Sequence, residues 1–394
     1  MTPDSATAIA AQLMSGFARR TGLYPESQKK QRRYLWTDAF AVCNFIELFV
    51  RTGNEFYRQC ATDLIDQVHY VLGRYRADDS RQGWISGLNE ESGKRHPTMG
   101  GLRIGKPLRE RQADEPVDDR LEWDRDGQYF HYLTKWMHAL CRAAVTSGHS
   151  AHAQEALELG EAAFRGFARK SASGSVIGIY WKMSTDLSRP LTFAMGLHDA
   201  LDGFVTFREV QHVVSKTHAK ASNDLTATVK SLSNLCRSRD WSTSDPLGIG
   251  GLLFDACRFA QPPQRHDDDG LVEAIENAYD TGIRAFVASQ LLIRPVSQRL
   301  AFRELGLAIG LRAIPIIIGP TKHAVESDRG LPKRSQVQYQ SLADEIIRAW
   351  LPCTQSPDEL WQAHEDINDV MLATALIPDT FLSVSERMPL DAPY

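Results

Sequence analysis

The sequence predicts an all-α protein, and two observations carry that prediction. Apolar residues recur every four positions along most of the chain, a spacing that places them on one face of a helix. One such stripe consists of Phe56, Cys60, Leu64, Val68 and Leu72. Signals for strands are sparse, since only the segment 175–181 has the pattern of a short strand or hairpin. We therefore expect helices joined by loops.

Two kinds of helix alternate along the chain. The first kind has one apolar and one polar face, as expected of an outer layer. These outer helices are predicted at about 5–20, 54–75, 151–168, 218–237, 270–289 and 336–350. The second kind carries apolar residues on most of its circumference, so neighbouring structure must cover most of its sides. These inner helices are predicted at about 38–50, 127–143, 199–213, 246–259, 298–314 and 365–377.

Five inner helices begin at or beside an aspartate, an N-cap residue that suits the positive end of a helix. The aspartates concerned are Asp38, Asp124, Asp126, Asp199, Asp245 and Asp366. Because this start recurs across the whole chain at irregular intervals, it favours one repeated architecture over separate domains. The sequence therefore predicts a single domain over residues 1–394.

Six inner and six outer helices would form a ring if the last inner helix paired with the first helix of the chain. In this alternation the chain resembles the six-hairpin glycosidase superfamily, whose members are (α/α)6 toroids. The superfamily includes glycoside hydrolases, unsaturated glucuronyl hydrolases, polysaccharide lyases and N-acylglucosamine 2-epimerase-like isomerases. The resemblance covers nearly the whole chain and is architectural. It implies a toroid whose pocket, at one mouth, acts on carbohydrates.

A long stretch near residues 76–123 interrupts the helical pattern. It is rich in Gly, Pro and charged residues and contains Trp84. A loop of this length in a compact domain usually has a function. We expect it to form a lid or one wall of the pocket.

Composition excludes several other classes of protein. The net charge is −4 and no strongly basic stretch occurs, which argues against nucleic-acid binding. No apolar run approaches the roughly 20 residues that span a bilayer, and no signal peptide is evident, so we expect a cytoplasmic protein that does not enter membranes. The six cysteines are scattered and are predicted to be buried thiols. We expect neither a metal nor a cofactor. The sequence leaves the oligomeric state open.

In a toroid, the starts of the inner helices converge on one mouth, which defines the candidate site. Glycosidic cleavage needs one carboxylic acid to protonate the leaving oxygen and a second carboxylate to activate water or attack the sugar. The candidate proton-transfer residues are Asp124, Asp126, Asp199, Asp202 and His198. The candidate substrate-binding residues are Trp36, Asp38, Trp84, Trp123, Tyr129, His131, Trp181, Lys182, Arg189 and Asp245.

Each candidate also has a purely structural interpretation. Capping alone would explain Asp38, Asp245 and Asp199. Ion pairing with surface acids would explain Lys182 and Arg189, whose alternative role is to bind a carboxylate or phosphate of the substrate. The segment 121–132 is denser, because capping needs only one of its three carboxylates.

Three functions remain open. The expected partner of the first two is a small-molecule sugar or an oligosaccharide substrate. The first is a glycoside hydrolase, with one carboxyl from Asp124 or Asp126 and the other from Asp199 or Asp202. Lys182 and Arg189 would then favour an anionic sugar. The second is a sugar epimerase, with His198 and His131 as the proton-transfer groups. The third is a non-catalytic helical scaffold.

Overall fold

The computed structural model of the protein describes residues 1–24, 31–217, 225–237, 239–261, 269–318 and 333–384, and these residues are mostly helical, as predicted. The helices of the first half are α1 (Pro3–Arg20), α2 (Leu35–Thr52), α3 (Glu55–Leu72), α4 (Glu90–Arg95), α5 (Asp119–Glu122), α6 (Phe130–Ser147) and α7 (Ser150–Phe167). Those of the second half are α8 (Asp199–Thr217), α9 (Thr226–Cys236), α10 (Pro246–Ala260), α11 (Asp269–Ala288), α12 (Ala301–Ile318), α13 (Lys333–Trp350), α14 (Glu359–Ala363), α15 (Glu365–Leu376) and α16 (Asp379–Leu382).

Each long helix predicted from the sequence is present, with its ends shifted by a few residues. For the predicted helix 218–237, residues 218–224 lie outside the described part of the chain, and α9 accounts for most of the rest. The inner helices are buried on most sides, as α6 and α12 illustrate. Periodicity identified these helices because burial of a helix face follows directly from residue spacing.

Contacts group the chain into two compact units. The first contains Met1–Phe17, Val50–Gly53 and Arg237–Tyr394, and in it α12 packs against α10, α13 and α15. The second contains Ala18–Phe49 and Asn54–Cys236, and in it α6 and α8 pack against each other, with α7 and α9 beside them. Trp136 and Phe207 are among the large side chains that are fully buried in the second unit.

Two short antiparallel ribbons accompany the helices of the second unit. The predicted strand within 175–181 is present as β3 (Val176–Ile179), which pairs with β2 (Ala168–Lys170). A second ribbon joins β1 (Gln128–Tyr129) to β4 (Lys182–Met183), with Tyr129 opposite Lys182. This pairing brings the start of α6 beside a segment more than fifty residues further along the chain, as the register Gln128↔Met183 requires.

The stretch 76–123 is largely irregular but has defined geometry. It contains α4 and α5, and isolated bridges join Arg74 to Trp84 and Leu108 to Arg125. Charged side chains tie it internally and to the turn at 184–189, through contacts such as Arg81 with Asp79, Glu110 and Asp186. Ion pairs therefore fix a segment that lacks a regular backbone ladder.

Aspartate at the helix starts has more varied roles than capping. Asp245 caps α10, accepting a hydrogen bond from the Gly248 amide at 2.8 Å. The carboxylates of Asp38 and Asp199 instead accept from the preceding amides of Tyr34 and Gly196, both at 2.9 Å. Neither α6 nor α15 has a side-chain cap at its first residue. The capping prediction is therefore correct for Asp245 at α10 and wrong for Asp124 and Asp126 at α6.

Two further predictions concern the chain as a whole. All six cysteines are buried thiols, as predicted. Among the described residues, no helix combines the length and the apolar character needed to cross a bilayer.

Candidate functional site

The ribbon of β1 and β4 assembles a group of aromatic side chains in the second unit. We define the aromatic cluster as Trp123, Tyr129, His131, Tyr132 and Trp181. The Tyr129 ring lies 4.9 Å from the Trp181 ring and 5.4 Å from the His131 ring, measured between centroids. His131 and Trp181 are nearly parallel, at an interplanar angle of 5° and a centroid distance of 6.3 Å. All of these residues except Tyr132 are candidates from the sequence, and the fold brings them together.

Part of the aromatic cluster faces solvent. Trp123 is 58% exposed and packs edge-on against Trp181 at 5.3 Å. His131 and Trp181 are half-buried, whereas Tyr129 is buried. A partly open surface of ring faces, backed by buried rings, can stack against an apolar or sugar ligand.

Asp199 and His131 form a pair at the edge of this cluster. Asp199 is the first residue of α8, and its Oδ1 lies 3.9 Å from His131 Nδ1. Gly196 donates its backbone N–H to the Asp199 carboxylate at 2.9 Å. Nδ1 of His131 is enclosed and has no hydrogen-bond partner among the described residues. The pair thus consists of a carboxyl group that the Gly196 amide holds in place and an imidazole nitrogen that is too far away to form a hydrogen bond with it.

Burial shifts both groups of this pair toward their uncharged forms. It raises the pKa of Asp199 to about 7, and the nearby Asp202 carboxylate adds to the effect, while the Gly196 N–H and Lys135 oppose it. It also lowers the pKa of His131 to about 4, although Asp202 acts in the opposite direction. Between these values Asp199 holds a proton and His131 is neutral. The site therefore combines a proton donor with a proton acceptor near neutral pH.

Asp202 lies one turn further along α8, and other groups bind its carboxylate. Thr134 Oγ1 donates to it at 2.5 Å, and Lys135 Nζ lies 2.8 Å away. Thr206 Oγ1 is also within hydrogen-bond distance, at 3.3 Å. This set of partners favours a positioning role for Asp202 over a catalytic one.

Asp126 is fully buried and is part of an ion pair. Arg103 donates to its carboxylate, and Arg103 is itself buried. The backbone amides of Gly105 and Lys106 also donate to Asp126, at 3.0 and 3.4 Å. Asp124, by contrast, is exposed. Of the two carboxylates that the sequence could not separate, Asp124 is the one within reach of a ligand.

Lys182 and Arg189 are directed into the protein. Lys182 is fully buried, and its Nζ donates to the backbone oxygens of Glu122 at 2.6 Å and Arg125 at 2.9 Å. Its ion-pair partner is the Glu122 carboxylate at 3.3 Å, which is a buried acid and not a surface one. Arg189 donates to the backbone oxygen of Arg111. The geometry thus disfavours both as binding groups for an anionic substrate.

The remaining predicted residues do not join the cluster. Trp36 is buried against Phe40 at 4.4 Å, and Asp38 is buried beside Arg33. Trp84 is only 3% exposed, so its indole supports the 76–123 stretch and offers no open face.

Two more candidates lie on segments with roles of their own. His198 is half-buried, and its backbone oxygen accepts from the Asp202 amide. Asp245 belongs to the first unit, where it caps α10 and pairs with Arg303 at 2.8 Å.

Three residues of the site were not among the sequence candidates. The hydroxyls of Tyr34 and Tyr132 are hydrogen-bonded at 2.5 Å, and the Lys106 ammonium lies 5.4 Å from the Tyr34 ring centroid. Burial raises the pKa of both tyrosines, so both hydroxyls keep their protons. Tyr132 lies three residues after Tyr129, at a spacing that places both on one side of the predicted helix 127–143. Nothing local in the sequence places Tyr34 or Lys106 beside it.

No protein-family model matches the chain, and no curated protein matches it either.

Proposed function

We propose that the chain is a carbohydrate-active enzyme in which Asp199 transfers a proton, with Asp124 or His131 as the second proton-transfer group, and the aromatic cluster binds a sugar ring. The observation that carries the proposal is the pair itself, a buried carboxyl that retains its proton near neutral pH beside an enclosed, neutral imidazole nitrogen. Titratable groups whose environments drive their pKa values away from the ordinary ones are typical of acid–base catalysts. The half-open ring faces beside them supply a surface for a sugar.

Hydrolysis of a glycosidic bond is the reaction we favour. A carboxylic acid that keeps its proton near pH 7 can donate it to the leaving oxygen, which is the role we assign to Asp199. Asp124 is exposed and adjacent to Trp123 in the chain, and it supplies the second carboxylate. Asp126 and Asp202 then serve as structural anchors, since both carboxylates are bound by other groups.

Epimerisation of a sugar is the second candidate, and His131 is the observation in its favour. A neutral imidazole can accept a proton from carbon, and a protonated Asp199 beside it can return one. His198, the other histidine expected for this reaction, is half-buried at the residue before Asp199.

We also propose that the helices form the six-hairpin toroid that the sequence pattern indicates. Three pairs of consecutive inner helices pack together, namely α6 with α8, α10 with α12 and α12 with α15. The outer helices α7, α9, α11 and α13 each pack beside the inner helix that precedes them. A crystal structure in which α15 and α2 do not lie in one closed inner ring would rule the toroid out.

The experiment is a product assay on neutral, amino and uronic mono- and disaccharides, in which liquid chromatography separates the epimers and mass spectrometry measures the mass of each product. Hydrolysis converts one sugar into two smaller products, whereas epimerisation gives one product of equal mass. Asp199→Asn should lower kcat by about 10²- to 10⁴-fold, the usual contribution of a general acid. Asp119→Asn is the matched control, because Asp119 is exposed on α5 and distant in role from the pair. Full activity of Asp199→Asn, or no turnover or binding of any sugar by the wild type, would refute the proposal.

A further inference from the structure

The cationic side chains around the candidate site fall into two groups. Arg103, Arg111, Lys135 and Lys182 each contact a buried or nearly buried carboxylate. Lys106 differs from them. Within the part of the chain that the structure describes, its ammonium forms no hydrogen bond and no ion pair, and it lies over the face of the Tyr34 ring. The carboxylates of Asp124 and Asp126 act on it electrostatically from beyond ion-pair distance.

The backbone of Lys106 is held firmly, although its ammonium forms no ion pair with the residues that the structure describes. Its amide donates to the buried Asp126 carboxylate at 3.4 Å, and its carbonyl oxygen accepts from Arg76 at 2.6 Å. Gly105 precedes it with a φ of +91°, and a side chain there would collide with the backbone of Arg33. The ion pair of Asp126 with Arg103 thus fixes the segment from which the Lys106 side chain extends.

Lys106 is linked to the proposed catalytic pair through two tyrosines. Its ammonium lies over the Tyr34 ring at 5.4 Å, and the Tyr34 hydroxyl is hydrogen-bonded to that of Tyr132. The Tyr132 ring is edge-on to His131 at 4.8 Å. A continuous series of contacts through these two tyrosines therefore joins Lys106 to His131.

The environment of the ammonium favours binding of an anion. Its side chain is half-buried, and burial lowers its pKa, although Asp124 and Asp126 act against that effect. A half-buried cation is stabilised by an anionic group that approaches it, because partial removal of water strengthens their attraction. The Tyr34 ring under the ammonium carries a hydroxyl that is hydrogen-bonded to that of Tyr132, and these two hydroxyls can supply further polar contacts to such a group.

We infer that Lys106, with the hydroxyls of Tyr34 and Tyr132, binds the carboxylate or phosphate of an anionic sugar and selects it over neutral sugars. This inference rests on the proposed function, since it assigns the charge of the substrate at the same site. Lys106 takes the role that the sequence had suggested for Lys182 and Arg189. The chemistry required is one anionic oxygen group on the sugar, which a uronic acid or a sugar phosphate provides.

The test measures binding of four probes by titration calorimetry at neutral pH. The probes are D-glucuronate and D-galacturonate, D-glucose 6-phosphate, and neutral D-glucose. They are titrated into wild type, Lys106→Met, Lys106→Arg and Lys170→Met, where the last is the control, since Lys170 is exposed on β2. Thermal unfolding of each variant shows whether it is folded.

The expected result is that wild type binds an anionic sugar more tightly than glucose. Lys106→Met should then lose about 10- to 100-fold in affinity for it, as expected for a hydrogen bond to a charged group. Lys106→Arg should keep part of the preference, and Lys170→Met all of it. Preference for the uronates or for the phosphate identifies which anion the site takes.

Two outcomes would overturn the inference in distinguishable ways. Anionic sugars bound equally by wild type and Lys106→Met, or glucose bound as tightly as both the uronates and glucose 6-phosphate, would refute the role of Lys106 and leave the carbohydrate proposal standing. Absence of binding of all four probes to folded wild type would overturn both.

Discussion

Two regions of the second unit differ in how their ionisable side chains are stabilised. In one they are paired with an opposite charge, and in the other burial favours their uncharged forms. The first is the loop network, which we define as Arg81, Arg103, Glu110, Arg111, Glu122, Asp126 and Lys182. Each of its members has an opposite charge within ion-pair distance. The second region is the pair Asp199 and His131, whose nearest atoms are 3.9 Å apart and whose burial favours uncharged forms.

This difference separates structural carboxylates from chemical ones. A buried carboxylate with a guanidinium partner keeps a fixed charge and holds a loop in place. A buried carboxyl without such a partner keeps a proton that it can donate. Asp126 and Asp199 look alike in sequence, as acids beside an inner helix, and their surroundings give them different roles.

The largest effect on stability is expected from breaking the loop network. Asp126→Asn removes the counter-charge of Arg103 while that guanidinium stays buried. We expect the free energy of unfolding to fall by about 3–5 kcal/mol, the usual cost of leaving half of a buried pair. Urea denaturation measures it, with Asp119→Asn as the exposed control. A loss no larger than that of the control would mean that the network does not hold the loop.

The pH dependence of stability tests the other half of the comparison. Between about pH 4 and pH 7 the folded protein retains a proton on Asp199 that the unfolded chain has released, so this group destabilises the fold as pH rises. His131 acts in the opposite direction, because below about pH 6.5 the unfolded chain takes up a proton that the folded site accepts only near pH 4. The two effects largely offset each other in the wild type.

Single variants should separate these two contributions. Relative to wild type, Asp199→Asn should become more stable as the pH is raised from about 5 to about 7, with a slope of at most about 1.4 kcal/mol per pH unit. His131→Gln should gain stability as the pH is lowered over the same interval. Thermal unfolding across this range measures both. Curves parallel to that of wild type would show that the two groups titrate as they do in the unfolded chain.

The smallest effect is expected at the exposed edge of the aromatic cluster. Trp123→Ala removes a ring that is 58% exposed, so stability should change by no more than about 0.5 kcal/mol. Loss of one stacking face should weaken sugar binding by about 2- to 10-fold. Titration calorimetry with a sugar that the wild type binds measures the change in affinity. Ile177→Ala, at a half-exposed position on β3, is the control. Unchanged affinity would place the sugar elsewhere.

The sequence predicted the helices well and the partners of charged residues poorly, for a physical reason. The four-residue spacing of the apolar residues from Phe56 to Leu72 is visible in the sequence itself, and it predicts α3. The partners of Lys182 are backbone oxygens of Glu122 and Arg125, about sixty residues earlier in the chain. A sequence shows where a charged residue lies along the chain but not which group its side chain contacts. Lys182 was therefore a candidate both for substrate binding and for a surface ion pair, and neither matches the buried contacts that it makes.

The site itself was predicted in part. Trp123, Tyr129, His131 and Trp181 were named from their types and their positions beside inner helices, and the ribbon of β1 and β4 brings them together. Lys106 comes beside Tyr34 through the fold of the 76–126 region, which has no periodicity from which to predict it. Asp199 could be singled out from Asp202 only by their neighbours, because the two differ in partners and not in residue type.

The contact between Gly196 and Asp199 also limits how this protein can change by mutation. A side chain at position 196 would place its first carbon 2.5 Å from the Asp199 carboxylate, although the backbone there is not of the kind that requires glycine. Position 196 is therefore restricted to glycine only while Asp199 is present. We expect homologues that retain the aspartate to retain the glycine, and homologues that lack the aspartate to accept other residues at position 196.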